Sequence, residues 1–460
     1  MTMMDGGMVT RPAADKATGT TTGRLTIVGS GIKAIAHLTQ EAIGHIRGAD
    51  VVYYKVIDGA TAAFLRSLNV NAIDLSQYYG DDKKRRVTYI QMAEVMLRDV
   101  RAGKAVVGVF YGHPGFFVDP ARRALAVAAK EGYPAEMLAG VSSLDTMFAD
   151  LRFDPAQHGC QIVEATDMLL RRRPIVTSGH VIVLQVGSVG DAMFNFAHGF
   201  RNNRRAVLFE HLIETYGPDH GSILYLGSTL PGVAPTLLRR KLSAYRDPAI
   251  LASVPPACTL YIPPKDIRQT DPEMAEKMGA QWVVSPDAPR LAPLSEYGPI
   301  ENAAVADLVN HSLSPHYRPP VASPAMLAVL TRLALEPEAQ TAFARDPHGF
   351  AAAATGLTAA ERAALLSGSS ARLYAAMASG GEKAPGPKPA ATPMSDTDIA
   401  VTPDAVPMSD TDIAVTPDAV PMSDTDIAVT PDAVPMSDTD IAVTPDAVPM
   451  SDTDIAVTPD

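Results

Sequence analysis

The chain has 460 residues, room for two or three domains, and its 47% hydrophobic and 20% charged content is that of a globular protein with a sizeable core. Its two cysteines, Cys160 and Cys258, exclude a disulfide framework and a cysteine-rich zinc site, and they fit a reducing compartment. The net charge is −12, but residues 394–460 hold fifteen Asp and no Lys or Arg, so the preceding body carries about +3, which argues against a nucleic-acid-binding surface.

Residues 1–23 are rich in Gly and Thr and lack the apolar run of a signal peptide, and no later stretch is long and apolar enough to span a bilayer. A disordered N-terminus, a cytoplasmic location and no membrane partner are expected. Residues 24–263 alternate short apolar runs with helical patterns. Arg24–Ser30, Val51–Val56, Ala105–Tyr111, Glu136–Leu138, Gln161–Glu164, His180–Val186 and Ile223–Leu226 read as strands, and Val87–Arg101 and Pro120–Lys130 as helices. The fold class is α/β, with helices covering a mostly parallel sheet.

From 264 to 319 the pattern breaks into Pro-interrupted pieces around Trp282, the only tryptophan, which predicts an extended, clasp-like arm packing on something else. Residues 320–380 form a small helical domain with helices over Pro324–Leu335, Pro337–Ala344 and Thr358–Leu366, three or four in all. Residues 381–393 are Gly/Pro/Ala linker. The unit MSDTDIAVTPDAVP then starts at Met394, Met408, Met422, Met436 and Met450, a period of 14 residues. Two prolines and few apolar side chains per unit cannot offset the entropy of ordering, so the tail at 394–460 is expected to be disordered when unoccupied.

The segments with chemical content are glycine turns that follow strands. Gly29-Ser30-Gly31 does not complete a dinucleotide fingerprint and reads equally as a structural turn. The loop Tyr111-Gly112-His113-Pro114-Gly115-Phe116-Phe117 combines glycines with ring faces at a strand's C-terminal end. Gly140-Val141-Ser142-Ser143 and Gln185-Val186-Gly187 follow two further strands. Four such turns favour a shared cleft. Between residues 77 and 91, Tyr78, Tyr79, Arg85, Arg86 and Tyr89 crowd the start of a helix. Arg beside Tyr stabilises phenolate, although a solvated basic helix start is the bland alternative.

GSGIKAIAHLT, FYGHPGFF, GVSS and LQVG resemble the cofactor segments of tetrapyrrole-methylase-like S-adenosylmethionine enzymes. More closely, roughly residues 24–380, and above all DLSQYY…RRVTY…VVGVFYGHPGFFV, resemble the borosin peptide N-methyltransferases, which methylate backbone amides of a peptide fused to their own C-terminus. The resemblance implies a methyltransferase domain over 24–263, S-adenosylmethionine as donor with S-adenosylhomocysteine as product, no metal, and a homodimer whose tails feed the partner's site. It implies Tyr79 as the group that takes the amide proton, Arg85 orienting it, Tyr89 supporting the carbonyl side, and Tyr111 between donor and peptide. His113, Phe116, Ser143, Gln185, Gly227, Cys258 and Thr259, with Tyr111, fall at the family's cofactor contacts. The tail departs from the Val/Ile-rich core typical of the family, which leaves the product open.

With the tail as substrate, Pro403 and Pro407 have no amide hydrogen to give up. The apolar Ile-Ala-Val-Thr stretch prefers an extended backbone, and the expected acceptors are Ile399, Val401, Ile413, Val415, Ile427, Val429, Ile441, Val443, Ile455 and Val457. Ala400 and Thr402 remain open, as does release and cyclisation by a downstream protease or cyclase. Two other functions compete: methylation of a small tetrapyrrole-type heterocycle with the tail an appendage, and a non-enzymatic scaffold with a multivalent acidic tail.

Overall fold

The computed structural model describes residues 23–81, 83–193, 204–255, 257–280, 292–314, 317 and 320–380. The repeat tail with its ten expected acceptors, the linker, Trp282 and the first 22 residues lie outside the described residues. The described residues fall into two compact units, one comprising those up to Leu313 with Ala328–Ala353, the other Ser314–Leu327 with residues 354–380.

The first unit begins with β1 (Arg24–Gly29), α1 (Gln40–Arg47), β2 (Val51–Lys55), α2 (Gly59–Leu68), β3 (Ala72–Asp74), a 3-10 turn (Leu75–Tyr78), α3 (Arg85–Arg101), β4 (Ala105–Phe110), α4 (Asp119–Lys130) and β5 (Ala135–Met137). The strands form one sheet in the order β3-β2-β4-β1-β5 with every pairing parallel. β2 is buried along its whole length, and β1 and β4 at all but their first residue, as near-continuous apolar runs between two helical layers should be. Val28, Val52, Tyr54, Val107 and Val109 pack with α1 and α2, while the alternating residues face α3 and α4. Asp58 caps α2 by accepting from the Thr61 N–H at 2.6 Å.

After α5 (Ser143–Leu151) the chain builds a second sheet: β6 (Cys160–Glu164), α6 (Ala165–Leu170), β7 (His180–Leu184), α7 (Arg205–Tyr216), β8 (Gly221–Leu226), β9 (Thr236–Lys241), α8 (Pro248–Ala252) and β10 (Thr259–Ile262). Its order is β6-β7-β10-β8-β9; only β6 and β7 are parallel. The expectation of one mostly parallel sheet therefore holds for the first sheet and fails for the second. The stretch joining Leu226 to Thr236 is too short for a helical crossover, so β9 must return antiparallel. α7 covers this sheet through Leu208, Phe209, Leu212 and Ile213, packed with Val181, Val183, Leu224 and Leu260.

The segment expected to be an extended arm contains α9 (Pro272–Lys277) and α10 (Pro299–Ala306) in its described parts, followed by a 3-10 turn (Asp307–Asn310). Pro272 and Pro299 open these helices instead of breaking them, because the first helical position needs no N–H donor. Beyond it come α11 (Pro324–Leu335), α12 (Pro337–Arg345), α13 (Pro347–Ala353), α14 (Ala359–Leu366) and α15 (Ser370–Gly380). That is five helices where three or four were expected. α12 contacts α1, and a Cβ on Gly44 of α1 would stand 2.4 Å from the carbonyl oxygen of Leu335, the last residue of α11, and 3.4 Å from Pro337 Cδ of α12.

Candidate active site

In an open α/β sheet, ligands bind beyond the carboxyl ends of strands whose following connections leave to opposite faces. β1 leads to α1 on one face and its neighbour β4 leads to α4 on the other, so the turns after these strands flank such a crevice. The turns are laced together. Gly31 and Gly112 exchange main-chain hydrogen bonds of 3.2 and 3.1 Å, and Ser30 N–H donates to Phe110 O at 2.7 Å. A Cβ on Gly29 would lie 2.2 Å from Gly112 O and 2.9 Å from Pro114 Cδ, so no other residue permits this approach. Tyr111 N–H donates to Lys55 O at 3.0 Å, which brings the end of β2 into the same edge.

The tyrosine-arginine cluster stands beside it. Tyr79 ends the 3-10 turn, with its N–H on Ser76 O at 3.1 Å, and its ring meets that of Tyr89 edge-on at a centroid distance of 6.4 Å. Tyr89 lies on α3 and is 1% exposed; Tyr79, Arg85 and Tyr111 are likewise buried. Arg85 opens α3. Its guanidinium donates to Asp191 O, and its N–H to Ala192 O at 3.2 Å, so the helix start is tied to the turn after β7. Wholly buried Lys55 places Nζ 6.0 Å from the Tyr79 ring centroid.

The residues expected at the cofactor occupy the converging ends of both sheets. His113 Nδ1 accepts the Gly115 N–H at 3.0 Å and its carbonyl accepts from Phe116, which closes the loop on itself. Phe116 packs with Met147, Leu184 and Tyr225 in a cluster linking the two sheets. Ser143 is the first residue of α5, whose cap is Ser142, which places it at a helix start. Gln185 has a φ of 60°, rare for a residue with a side chain, and its Nε2 is buried with no hydrogen-bond partner among the described residues. A strained residue holding an orphan buried donor at the mouth of a crevice fits a polar ligand.

Strand register brings the later positions to the same edge. Thr259 of β10 pairs with Tyr225 of β8, and Leu260 with Val183 of β7, so Gln185, Gly227 and Thr259 sit at adjoining strand ends. The loop after β8 joins the first sheet where Ala34 N–H donates to Thr229 O at 2.7 Å. The Cys258 side chain turns away from this edge. It lies in the core beneath α7, its thiol donates to Pro255 O at 2.9 Å, and burial pushes the thiol pKa up. A neighbouring cleft of about 560 Å³ is lined by Phe116, Phe117, Arg122, Glu164 and Asp167 and takes in none of the tyrosines. Lys55, Asp191 and Thr229 were not anticipated from sequence. Only Lys55 gave a signal, as the one charged residue in an apolar strand.

Two family models match the chain: Tetrapyrrole (Corrin/Porphyrin) Methylases over residues 24–220 and the Borosin biosynthesis clasp domain over 296–408. The chain is 43% identical over 370 residues to the methyltransferase/ribosomally synthesized cyclic peptide gymnopeptides precursor of Gymnopus fusipes, covering 77% of this chain and 87% of that one. The chain belongs to the borosin family of methyltransferase–precursor proteins. Against the borosin of Omphalotus olearius, the omphalotin A precursor, it is 42% identical, with 79% of this chain and 90% of that one covered. Among solved structures, uroporphyrin-III-C-methyltransferase from Thermus thermophilus is similar at 18% identity and a TM-score of 0.38, covering 53% of this chain and 93% of that one. The borosin chain thus has an α/β methylase body of the tetrapyrrole-methylase type followed by a clasp region, and among its described residues no helix is long and apolar enough to cross a membrane.

Proposed function

We propose that the protein transfers methyl groups from S-adenosylmethionine to backbone amide nitrogens of its own C-terminal repeats. The observation that carries this reading is the buried contact of Tyr79, at the end of the 3-10 turn, with Tyr89 on α3, the helix whose first residue, Arg85, is tied to the turn after Gln185. An amide nitrogen is a poor nucleophile because its lone pair is committed to the carbonyl. Tyr79 as phenolate removes the amide proton, while Arg85 and Tyr89 donate to the carbonyl oxygen as it gains imidate character. Gln185 with its orphan amide, Ser143 at a helix start, and the laced loop from Tyr111 to Phe116 hold the donor. When bound, S-adenosylmethionine supplies an electrophilic methyl group on a sulfonium. Burial of the tyrosines excludes the water that would otherwise hydrate the phenolate.

The substrate of this reaction is the chain's own tail, acting on the Ile and Val amides from Ile399 to Val457, and the relatives are themselves named as cyclic peptide precursors. A homodimer in which each tail enters the partner's site suits the clasp region. Tyr297, Leu308 and Val309 there, with Leu294 just before it, are 72%, 69%, 84% and 100% exposed, a set of apolar side chains that the single chain leaves to water. Release and closure of the methylated peptide then fall to a separate protease or cyclase. Fragment mass spectra of the tail test the reading. Wild-type protein is expected to carry whole methyl increments within Ile-Ala-Val-Thr, and Tyr79→Phe and Arg85→Ala to lower them at least about a hundredfold, the usual worth of a general base or an oxyanion donor. Methyl groups confined to Met-Ser-Asp, or an unmodified wild-type tail, would overturn it.

A further inference from the structure

Lysine is among the residues least often buried, because its ammonium loses hydration that only an anion, a dipole or a π face replaces. Lys55 ends β2 and is 0% exposed, one of the largest wholly enclosed side chains in the protein. A methionine would fill the same space without the desolvation cost, so packing does not account for it. Side chains alternate along a strand, and Tyr53, two residues earlier, donates its hydroxyl to Asp99 of α3 at 2.8 Å. Lys55 therefore faces the α3 side of the sheet, where Tyr89 stands. Its Nζ lies 6.0 Å from the Tyr79 ring centroid, and its carbonyl accepts from Tyr111 N–H at 3.0 Å. One residue thus adjoins Tyr79 through its side chain and Tyr111 through its main chain.

We infer that Lys55 is a positioning residue for methyl transfer: its buried ammonium stabilises the phenolate of Tyr79, so that the group receiving the amide proton is ionised at working pH. The inference rests on the reading of Tyr79 as that group. A free phenol has a pKa of about 10, which leaves about one molecule in a thousand ionised at neutrality. A cation within about 4–6 Å lowers an acid's pKa by roughly 1–3 units, and a dry surrounding strengthens the attraction. Lys55 approaches Tyr79 from β2 and Tyr89 approaches it from α3. Arg85, one turn before Tyr89 on the same helix face, brings a second positive charge to the cluster.

The test uses the full chain with its tail and the variants Lys55→Met, Lys55→Gln, Lys55→Arg and Tyr79→Phe. Two readouts are taken across pH: methyl incorporation into the tail, and the ultraviolet absorbance of tyrosinate. The wild type is expected to show a tyrosinate step below the ordinary phenol range that Tyr79→Phe removes. Lys55→Met should raise both that step and the acid limb of methylation by about one pH unit or more, cutting the rate near neutrality about tenfold, and Lys55→Arg should restore both. A Lys55→Met profile with the wild-type limb and step, or a loss of rate equal at all pH values, would overturn the inference, the latter marking a merely structural lysine. Should Lys55→Met fail to fold, Lys55→Gln carries the same expectation. If wild-type tails stay unmethylated, the functional reading fails, while the tyrosinate step still decides the Lys55–Tyr79 pairing.

Discussion

Gln185 carries two costs that packing leaves unexplained: a left-handed backbone and a buried amide nitrogen with no partner among the described residues. Each is of the order of 1–3 kcal/mol, and both are offset if the amide donates to the bound methyl donor. Lys55 and Arg85 likewise set charged side chains in buried positions beside the same crevice. Gln185→Asn keeps a residue type that tolerates positive φ but withdraws the amide by one methylene. Calorimetry with S-adenosylhomocysteine should then show affinity lower by roughly two- to tenfold, the worth of a neutral hydrogen bond, with the melting temperature of the ligand-free protein nearly unchanged. A large loss of stability with unaltered affinity would assign Gln185 to the core.

At the scale of elements, α3 connects the site to the sheet. Its buried residues Thr88, Tyr89, Met92, Ala93, Met96, Leu97 and Val100 recur at helical spacing, and Met92 and Met96 are wholly enclosed. Met96→Ala, about two helical turns beyond Tyr89 on α3, should cost about 2–5 kcal/mol of stability in denaturant titration while leaving the acid limb of methylation where it is. The helix was legible in the sequence because that spacing is long and regular, and β1, β2, β4 and β7 because their apolar runs are bounded by turns. β3 was missed because it has three residues and faces partly outward, and β9 because Leu237 to Lys241 mix basic and apolar side chains as an edge strand does. β10, four residues before two prolines, gave too short a run. The site was less legible than the fold. Tyr79, Arg85 and Tyr89 drew notice as a cluster, but nothing in their spacing told of the link from Arg85 to Asp191, which depends on a second sheet folding back on the first. Cys258 was placed at the cofactor by resemblance, whereas an apolar environment claims its side chain.

At the scale of the molecule, an acidic repeat tail and a methylase body of near-zero charge share one chain, and transfer between partner subunits is a geometric claim that can be separated from the chemistry. Tyr79→Phe protein with its tail, mixed with active protein cut after residue 380 and allowed to exchange subunits, should acquire methyl groups on the tail of the inactive chain. Tails that remain bare in a mixture shown to contain heterodimers would mean that each tail serves its own site. Passage of carbon from the sulfonium to main-chain nitrogen of the repeats is read by supplying methyl-labelled S-adenosylmethionine to the purified full chain and locating the label by nuclear magnetic resonance. N-methyl signals coupled to the α-protons of the Ile-Ala-Val-Thr residues are expected. Label on side chains, or a tail with none, would contradict transfer to main-chain nitrogen.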